Sequence, residues 1–370
     1  MSSNKLPQLK VNPVLSLFSS GQFVDTLDAI DLLKKEYPKE ELLCNIKGAC
    51  YAGLKDFDAA IESYEEALLI NPNYAKAHYN LGDALHQLKN YDEAVQSYKS
   101  SIKIDSNFAE AHNNLGNIYK ELNQLDKAIK SYQKALKLKP NYAEAHFSIA
   151  ISFQLLNEFG KMIEHLEALC TIQPNFFEAY NYLGIALKET GQFQSSIKAY
   201  EKALSIKSDY VEAHNNLGNA LYESGRVQEA IKSFEKALTH NPNYARAMFN
   251  LSLALKDVGK KKDYQKLIEK TLQLKPHWSD AQLHLSRVKK YKKKDPQIAE
   301  LHSFLKQKDL ILKDRINFNF TLAKVYEDIG DLDNQFKFLN EANRLRKEES
   351  EYFFEKDQKL FSRIKKTFNN

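Results

Sequence analysis

A period of 34 residues governs this chain. The stretch 107–140, NFAEAHNNLGNIYKELNQLDKAIKSYQKALKLKP, holds two apolar patterns of helical spacing on either side of a break at Glu121–Leu125. The first carries His112, Leu115, Gly116 and Tyr119, the second Ala128, Tyr132 and Ala135. Pro140 ends the unit, because proline has no N–H to give and its ring clashes with the preceding turn. Frames of 34 open at Pro7, Glu41, Ala75, Ala109, Ala143, Phe177, Val211 and Ala245, and the last closes at Trp278 without an insertion. Six of the nine prolines (Pro38, Pro72, Pro140, Pro174, Pro242, Pro276) fall on position 32 of a frame. A repeat of roughly 20–50 residues means a solenoid, in which each unit buries its apolar face only against its neighbours. The usual inference of two or three globular domains from 370 residues therefore does not apply.

Within the frame, positions 7, 8 and 11 carry Leu81-Gly82-Leu85, Leu115-Gly116-Tyr119, Leu183-Gly184-Leu187 and Leu217-Gly218-Leu221. Positions 20, 24 and 27 carry Ala60-Tyr64-Ala67, Ala128-Tyr132-Ala135 and Ala230-Phe234-Ala237. With proline at 32, this pattern resembles the tetratricopeptide repeat (TPR) over about three quarters of the chain. The resemblance implies an all-α fold, a right-handed α-solenoid superhelix of helix–turn–helix repeats. Small residues at 8 and 20 let paired helices approach, and larger ones at 4, 7, 11 and 24 fill the space around them.

The expected order is a degenerate capping repeat over 1–40, then seven repeats over 41–278. A degenerate helical pair over 279–312, a TPR-like repeat over 313–349 and an amphipathic helix over 350–370 follow. The frame at Ala143, with Ala150 for glycine and Met162 for alanine, is expected to pack more loosely. Asn107, Asn141, Asn175 and Asp209 each precede a glutamate by three residues (Glu110, Glu144, Glu178, Glu212), which reads as a capping box. The net charge of +5 belongs to 279–370, the preceding repeats being balanced. Its lysine run at 289–294 reads as a solvated helix face, and no nucleic-acid-reading module accompanies it.

No apolar run at the N-terminus is long enough for a signal peptide or a membrane span. Cys44, Cys50 and Cys170 stand at neither metal nor redox spacing and suit a reducing compartment, with Cys44 and Cys170 read as small buried hydrophobes. A cytoplasmic protein is expected, and the richness in Lys, Asn and Ile suggests an AT-rich bacterial genome. No phosphate-binding, dinucleotide, nucleophile-elbow or zinc-protease motif occurs, so neither an enzyme nor a cofactor is expected. His78, His112, His146 and His214 recur at position 4, on the core face, where packed structural histidines are expected rather than metal ligands.

Candidate binding residues lie on the opposite face of the first helices, which in tetratricopeptide proteins lines the concave groove. Position 6 holds Asn80, Asn114, Ser148, Tyr182, Asn216 and Asn250; position 9 holds Asp83, Asn117, Ile151, Ile185, Asn219 and Leu253. Asparagine is a poor helix former, so its recurrence at mid-helix calls for a reason. The rows resemble the asparagine ladder of O-linked N-acetylglucosamine transferase repeats, which implies a grip on the main chain of an extended peptide. An amide both donates and accepts, so it pairs with any backbone. Drift around a common N-x-L-G pattern is the other reading. Ser148, Ile151, Tyr182 and Ile185, with Leu155, interrupt the ladder with an apolar patch, read either as a side-chain pocket or as weak packing. The acidic residues at positions 2 and 13 would favour a basic peptide, although capping also accounts for the first set. Only Lys76 and Arg246 are basic at position 2, which excludes a dicarboxylate clamp.

The run YEDIGDLDNQFKFLNEANRLRK, followed by EKDQKLFSRIKKTF, resembles the segment linking repeats to a sulfotransferase domain in some bacterial proteins. That resemblance implies a part that presents a substrate to a catalytic partner, whose phosphate-binding loop is not found before Asn370.

Overall fold

A computed structural model describes residues 6–349; the C-terminal amphipathic helix expected over 350–370 lies outside them. The described residues form twenty α-helices and no strand. They divide into two compact units between Gln192 and Phe193. The first unit holds α1 (Gln8–Ser19), α2 (Phe23–Glu36), α3 (Glu41–Gly53), α4 (Phe57–Ile70), α5 (Ala75–Gln87) and α6 (Tyr91–Ile104). It continues with α7 (Ala109–Glu121), α8 (Leu125–Leu138), α9 (Ala143–Leu155), α10 (Phe159–Ile172) and α11 (Phe177–Glu189). The second holds α12 (Phe193–Ile206), α13 (Val211–Glu223), α14 (Val227–His240), α15 (Ala245–Asp257) and α16 (Lys261–Leu274). It ends with α17 (Ser279–Ser286), α18 (Pro296–Leu305), α19 (Leu312–Ile329) and α20 (Leu332–Glu349).

The short period of glycine and alanine decides how the helices pair. A side chain at Gly116 would bring its Cβ to 2.6 Å from the Tyr132 ring, and one at Gly218 to 2.4 Å from that of Phe234. The missing Cβ thus makes room for an aromatic ring between the two helices of a repeat. Tyr98, Tyr132 and Phe234, all at position 24, are essentially fully buried there. Where position 8 is larger, position 24 is aliphatic: Ala150 goes with Leu166, and Ser252 with Ile268. The repeat at Ala143 is therefore not loose, contrary to expectation, since Ala150, Met162 and Leu166 are all fully buried. The volume moved from one helix to the other rather than being lost.

Helix starts also differ from the capping-box reading. The N-caps of α7, α9, α11 and α13 are Phe108, Tyr142, Phe176 and Tyr210, one residue later than expected, with no side-chain cap. The aromatic at position 34 enters the packing; the Phe108 ring, for example, lies 4.7 Å from Tyr79. The polar residue two before the asparagine forms the turn instead: Asp105 and Asn241 accept the Asn107 and Asn243 backbone N–H at 3.0 Å. The glutamates still stand in the first turns, where they complement the helix dipole.

Curvature follows from which helices meet. Successive first helices touch, α3 with α5, α5 with α7 and α7 with α9 in the first unit and α13 with α15 in the second, whereas successive second helices barely do. Within each unit the first helices therefore lie on the inner side and the second helices splay on the outer side.

The lysine run is not on a helix. α17 ends at Ser286, and 289–294 form a turn-containing loop. Lys289 pairs with Asp295 at 2.7 Å and Lys290 with the nearly buried Asp328 at 2.9 Å. Like charges packed at this density oppose a helix; the two carboxylates bind the first two lysines, and Lys292, Lys293 and Lys294 are exposed.

Candidate inner-face site

Every predicted groove residue (Asn80, Asp83, Asn114, Asn117, Ser148, Ile151, Tyr182, Ile185, Asn216, Asn219, Asn250) is half-buried on a first helix. The position-6 amides reach back to the preceding repeat. Asn80 Nδ2 donates to Asn45 Oδ1 at 2.9 Å, and Asn250 Nδ2 to Asn215 Oδ1 at 2.9 Å. Asn114 Nδ2 donates to both the Tyr79 hydroxyl at 3.0 Å and Asp83 Oδ1 at 2.8 Å. Asn117 Oδ1 accepts the Tyr132 hydroxyl at 2.8 Å and lies 3.4 Å from Ser148 Oγ. The partner residues at position 5, such as Asn45 and Asn215, were not anticipated from the sequence; their signal was a second asparagine beside the first.

This network divides the row by hydrogen-bonding capacity. Both Asn114 N–H groups are spent, whereas the Asn117 NH2 group makes no side-chain bond, and Asn219 bonds to no described side chain. Asn216 accepts from Asn215 Nδ2 at 3.4 Å. At the apolar interruption Tyr182 stands edge-on to Phe147 at 5.4 Å, Ile151 and Ile185 are half-buried, and Leu155 is 58% exposed.

Asp83 is the charged member of the row. Burial raises its carboxyl pKa, against hydrogen bonds from Tyr98, Asn114 and Tyr79 and the Lys76 charge. Lys76 itself lies over the Tyr79 ring at 4.5 Å. Asn117 shows that an amide can accept the same tyrosine hydroxyl, from Tyr132. Asp83→Asn is therefore expected to stabilise the protein at pH 7 by on the order of 1 kcal/mol. Because folding raises this pKa, the wild-type penalty is absent below the ordinary aspartate value of about 4 and grows as pH rises through the folded value. Urea melts of both proteins at pH 4 and pH 7 check this, and equal stability at pH 7 contradicts it.

The histidines at position 4 are structural. His112 and His214 are buried, and His78, His146 and His214 each contact the carbonyl of the position-32 residue (Pro72, Pro140, Ser208) at 3.0, 3.0 and 2.9 Å. Among the described residues no group of three or more His, Cys, Asp or Glu could hold a metal ion. Cys44 and Cys50 are buried but Cys170 is only half-buried. Burial pushes the Cys50 and Cys170 thiols up to about 11, so neither is a ready thiolate. No described helix is long and apolar enough to cross a membrane.

Helix pairs of this geometry, repeated in register with their small-residue contacts, define an all-α solenoid of tetratricopeptide repeats. Models described as "TPR repeat" match 50–89, 82–123, 116–157 and 186–225, and one described as "Tetratricopeptide repeat" matches 211–244. The chain is similar to the peroxisomal targeting signal receptor of Kluyveromyces lactis, 31% identical over 83 residues, 21% of this chain and 15% of that protein. The receptor of Candida glabrata is 31% identical over 75 residues, 20% of this chain and 13% of that protein. The matches thus span 15% or less of these curated relatives' length. Among solved structures, the C-terminal part of a TPR repeat-containing protein from Cytophaga hutchinsonii shares the fold at 15% identity and a TM-score of 0.56, covering 64% of this chain and 98% of that one. Repeats of this class are protein–protein interaction scaffolds.

Proposed function

We propose that the chain is a non-catalytic scaffold in which the inner side of each unit, taken by itself, holds an extended stretch of a partner protein by its main chain. The carrying observation is the unspent amide capacity at Asn117, with Asn219 at the same place in the second unit. These groups project from half-exposed inner positions and match backbone carbonyls and N–H groups regardless of side chain. Ile151, Ile185 and Leu155 supply an adjacent apolar surface for one side chain of the segment. The curated relatives' name, peroxisomal targeting signal receptor, is in keeping with repeats that receive a partner. Asn114 serves the scaffold itself, since its donors are used between repeats.

The test removes donors without orphaning Tyr132. Asn117→Asp keeps an acceptor for that hydroxyl, as Asp83 does for Tyr98, and Asn219→Ala removes a group with no described side-chain bond. Affinity purification from the source cell with wild type and this double variant is expected to lose partner recovery roughly tenfold, for two or three hydrogen bonds of about 0.5–1.5 kcal/mol. Undiminished recovery of the same partners overturns the amide grip.

A second reading rests on the tail run at 326–347: the repeats would present a substrate to a sulfotransferase-type domain. Sequencing the gene beyond the codon for Asn370 distinguishes the two. A phosphate-loop domain there favours this reading, and unrelated sequence removes it.

A further inference from the structure

On the outer side of the first unit, the splayed second helices α6 and α8 enclose a cleft of about 380 Å³. Its rim carries Lys99, Lys103, Lys127, Lys130 and Lys134, all exposed. Its floor is formed by Ile102, Leu115 and the half-buried Tyr119, with His112 and Ser131 beside them. Lys127 donates to Gln124 and lies 5.6 Å from the Tyr119 ring centre, and among the described residues no carboxylate pairs with any of the five. At the floor, burial lowers the His112 pKa, against a backbone hydrogen bond at Ser106 and with a smaller push from the Lys134 charge.

The repeat architecture supplies its own comparison. The same five places in the second unit, on α12 and α14, hold Glu201, Ser205, Glu229, Lys232 and Lys236, and Glu229 is bound to Arg226 at 2.6 Å. Between α4 and α6 they hold Glu65, Leu69, Glu93, Gln96 and Ser100; between α8 and α10, Gln133, Lys137, Lys161, Glu164 and Ala168. The all-lysine cleft is thus not a by-product of a lysine-rich chain. It concentrates charge at one spot.

We propose that this cleft is a binding site for a short acidic peptide segment with one large apolar side chain: the side chain enters toward Leu115 and Tyr119, and flanking Asp and Glu residues meet the lysine rim. A small apolar floor within a charged rim matches a single anchor with charged flanks. A nucleic acid fits less well. The footprint is one cleft long, Glu65 and Glu93 lie on its one side and Glu164 on the other, and no row of exposed aromatic rings offers a stacking platform. Lysine rather than arginine suits carboxylates met as point charges. The site is on the opposite face from the amide row and does not depend on it.

The experiment measures fluorescence anisotropy of a labelled peptide of Glu and Asp with one central Phe, titrated with the full chain. Saturable, salt-sensitive binding is expected. Lys99→Glu/Lys130→Glu/Lys134→Glu is expected to weaken it about tenfold or more. The matching reversal in the second unit, Lys232→Glu/Lys236→Glu, should leave it within about twofold. Circular dichroism confirms that these exposed changes keep the fold. Replacing the peptide's Phe by Ser should also weaken binding. No saturable binding, equal loss in both lysine reversals, no effect of the Phe replacement, or tighter binding of a single-stranded oligothymidylate of equal charge would each overturn the proposal.

Discussion

Phe234→Ala is expected to cost about 3–5 kcal/mol, the usual range for emptying an aromatic site in a core. The ring is 1% exposed and lies against the bare backbone at Gly218, between α13 and α14. Alanine would leave a cavity lined by two helices that cannot close on it, because each is also held by a neighbour: α13 by α12 and α14 by α15. The loss should not stay local. In an array whose stability is a sum of repeat and nearest-neighbour terms, weakening one internal repeat frays both sides of it. Urea unfolding followed by circular dichroism should show an earlier transition, and hydrogen exchange should place the lost protection in α13 and α14. A cost below about 1 kcal/mol would mean that the glycine–aromatic contact is not what joins the pair.

Gly116→Ala is expected to destabilise by about 1–3 kcal/mol, although alanine is the better helix former by nearly 1 kcal/mol. The new Cβ would meet the Tyr132 ring at 2.6 Å. That ring cannot yield, being fully buried and tethered through its hydroxyl to Asn117 at 2.8 Å. Gly160→Ala in α10 makes the control: nothing lies within 4 Å of its added Cβ. The same substitution there should be neutral or stabilising by up to about 1 kcal/mol. Chemical denaturation of both variants tests the sign difference. Adding Tyr132→Leu to Gly116→Ala should recover part of the loss, because Ala150 and Leu166 already form that combination in the next repeat. If both glycine variants shift stability in the same direction, helix propensity rather than the ring contact governs these positions.

The site was partly legible. The amide rows could be read at positions 6 and 9 because helical spacing is local and assigns a face without further information. Their consumption could not. Whether Asn114 is free depends on Tyr79 and Asp83, which are brought to it only when α7 packs beside α5. The same holds for the capping pattern. Asn107 and Glu110 have the right spacing, but the N-cap is Phe108, whose ring packs on Tyr79. The lysine run stands out in the sequence because its charges are contiguous, and in the fold Asp295 and Asp328 take up its first two lysines, Lys289 and Lys290. The five lysines that converge on one cleft are scattered over 99–134.

By itself the sequence determined the repeat length, the helix pairing and the core face, since each follows from spacing within about 34 residues. Tertiary packing decided where each helix begins, which amides keep capacity to spare and which charges converge. Those outcomes depend on side chains from neighbouring repeats meeting at distances that residue spacing does not encode: first helices crowd on the inner side, second helices part on the outer side, and the contents of each gap come from two repeats at once.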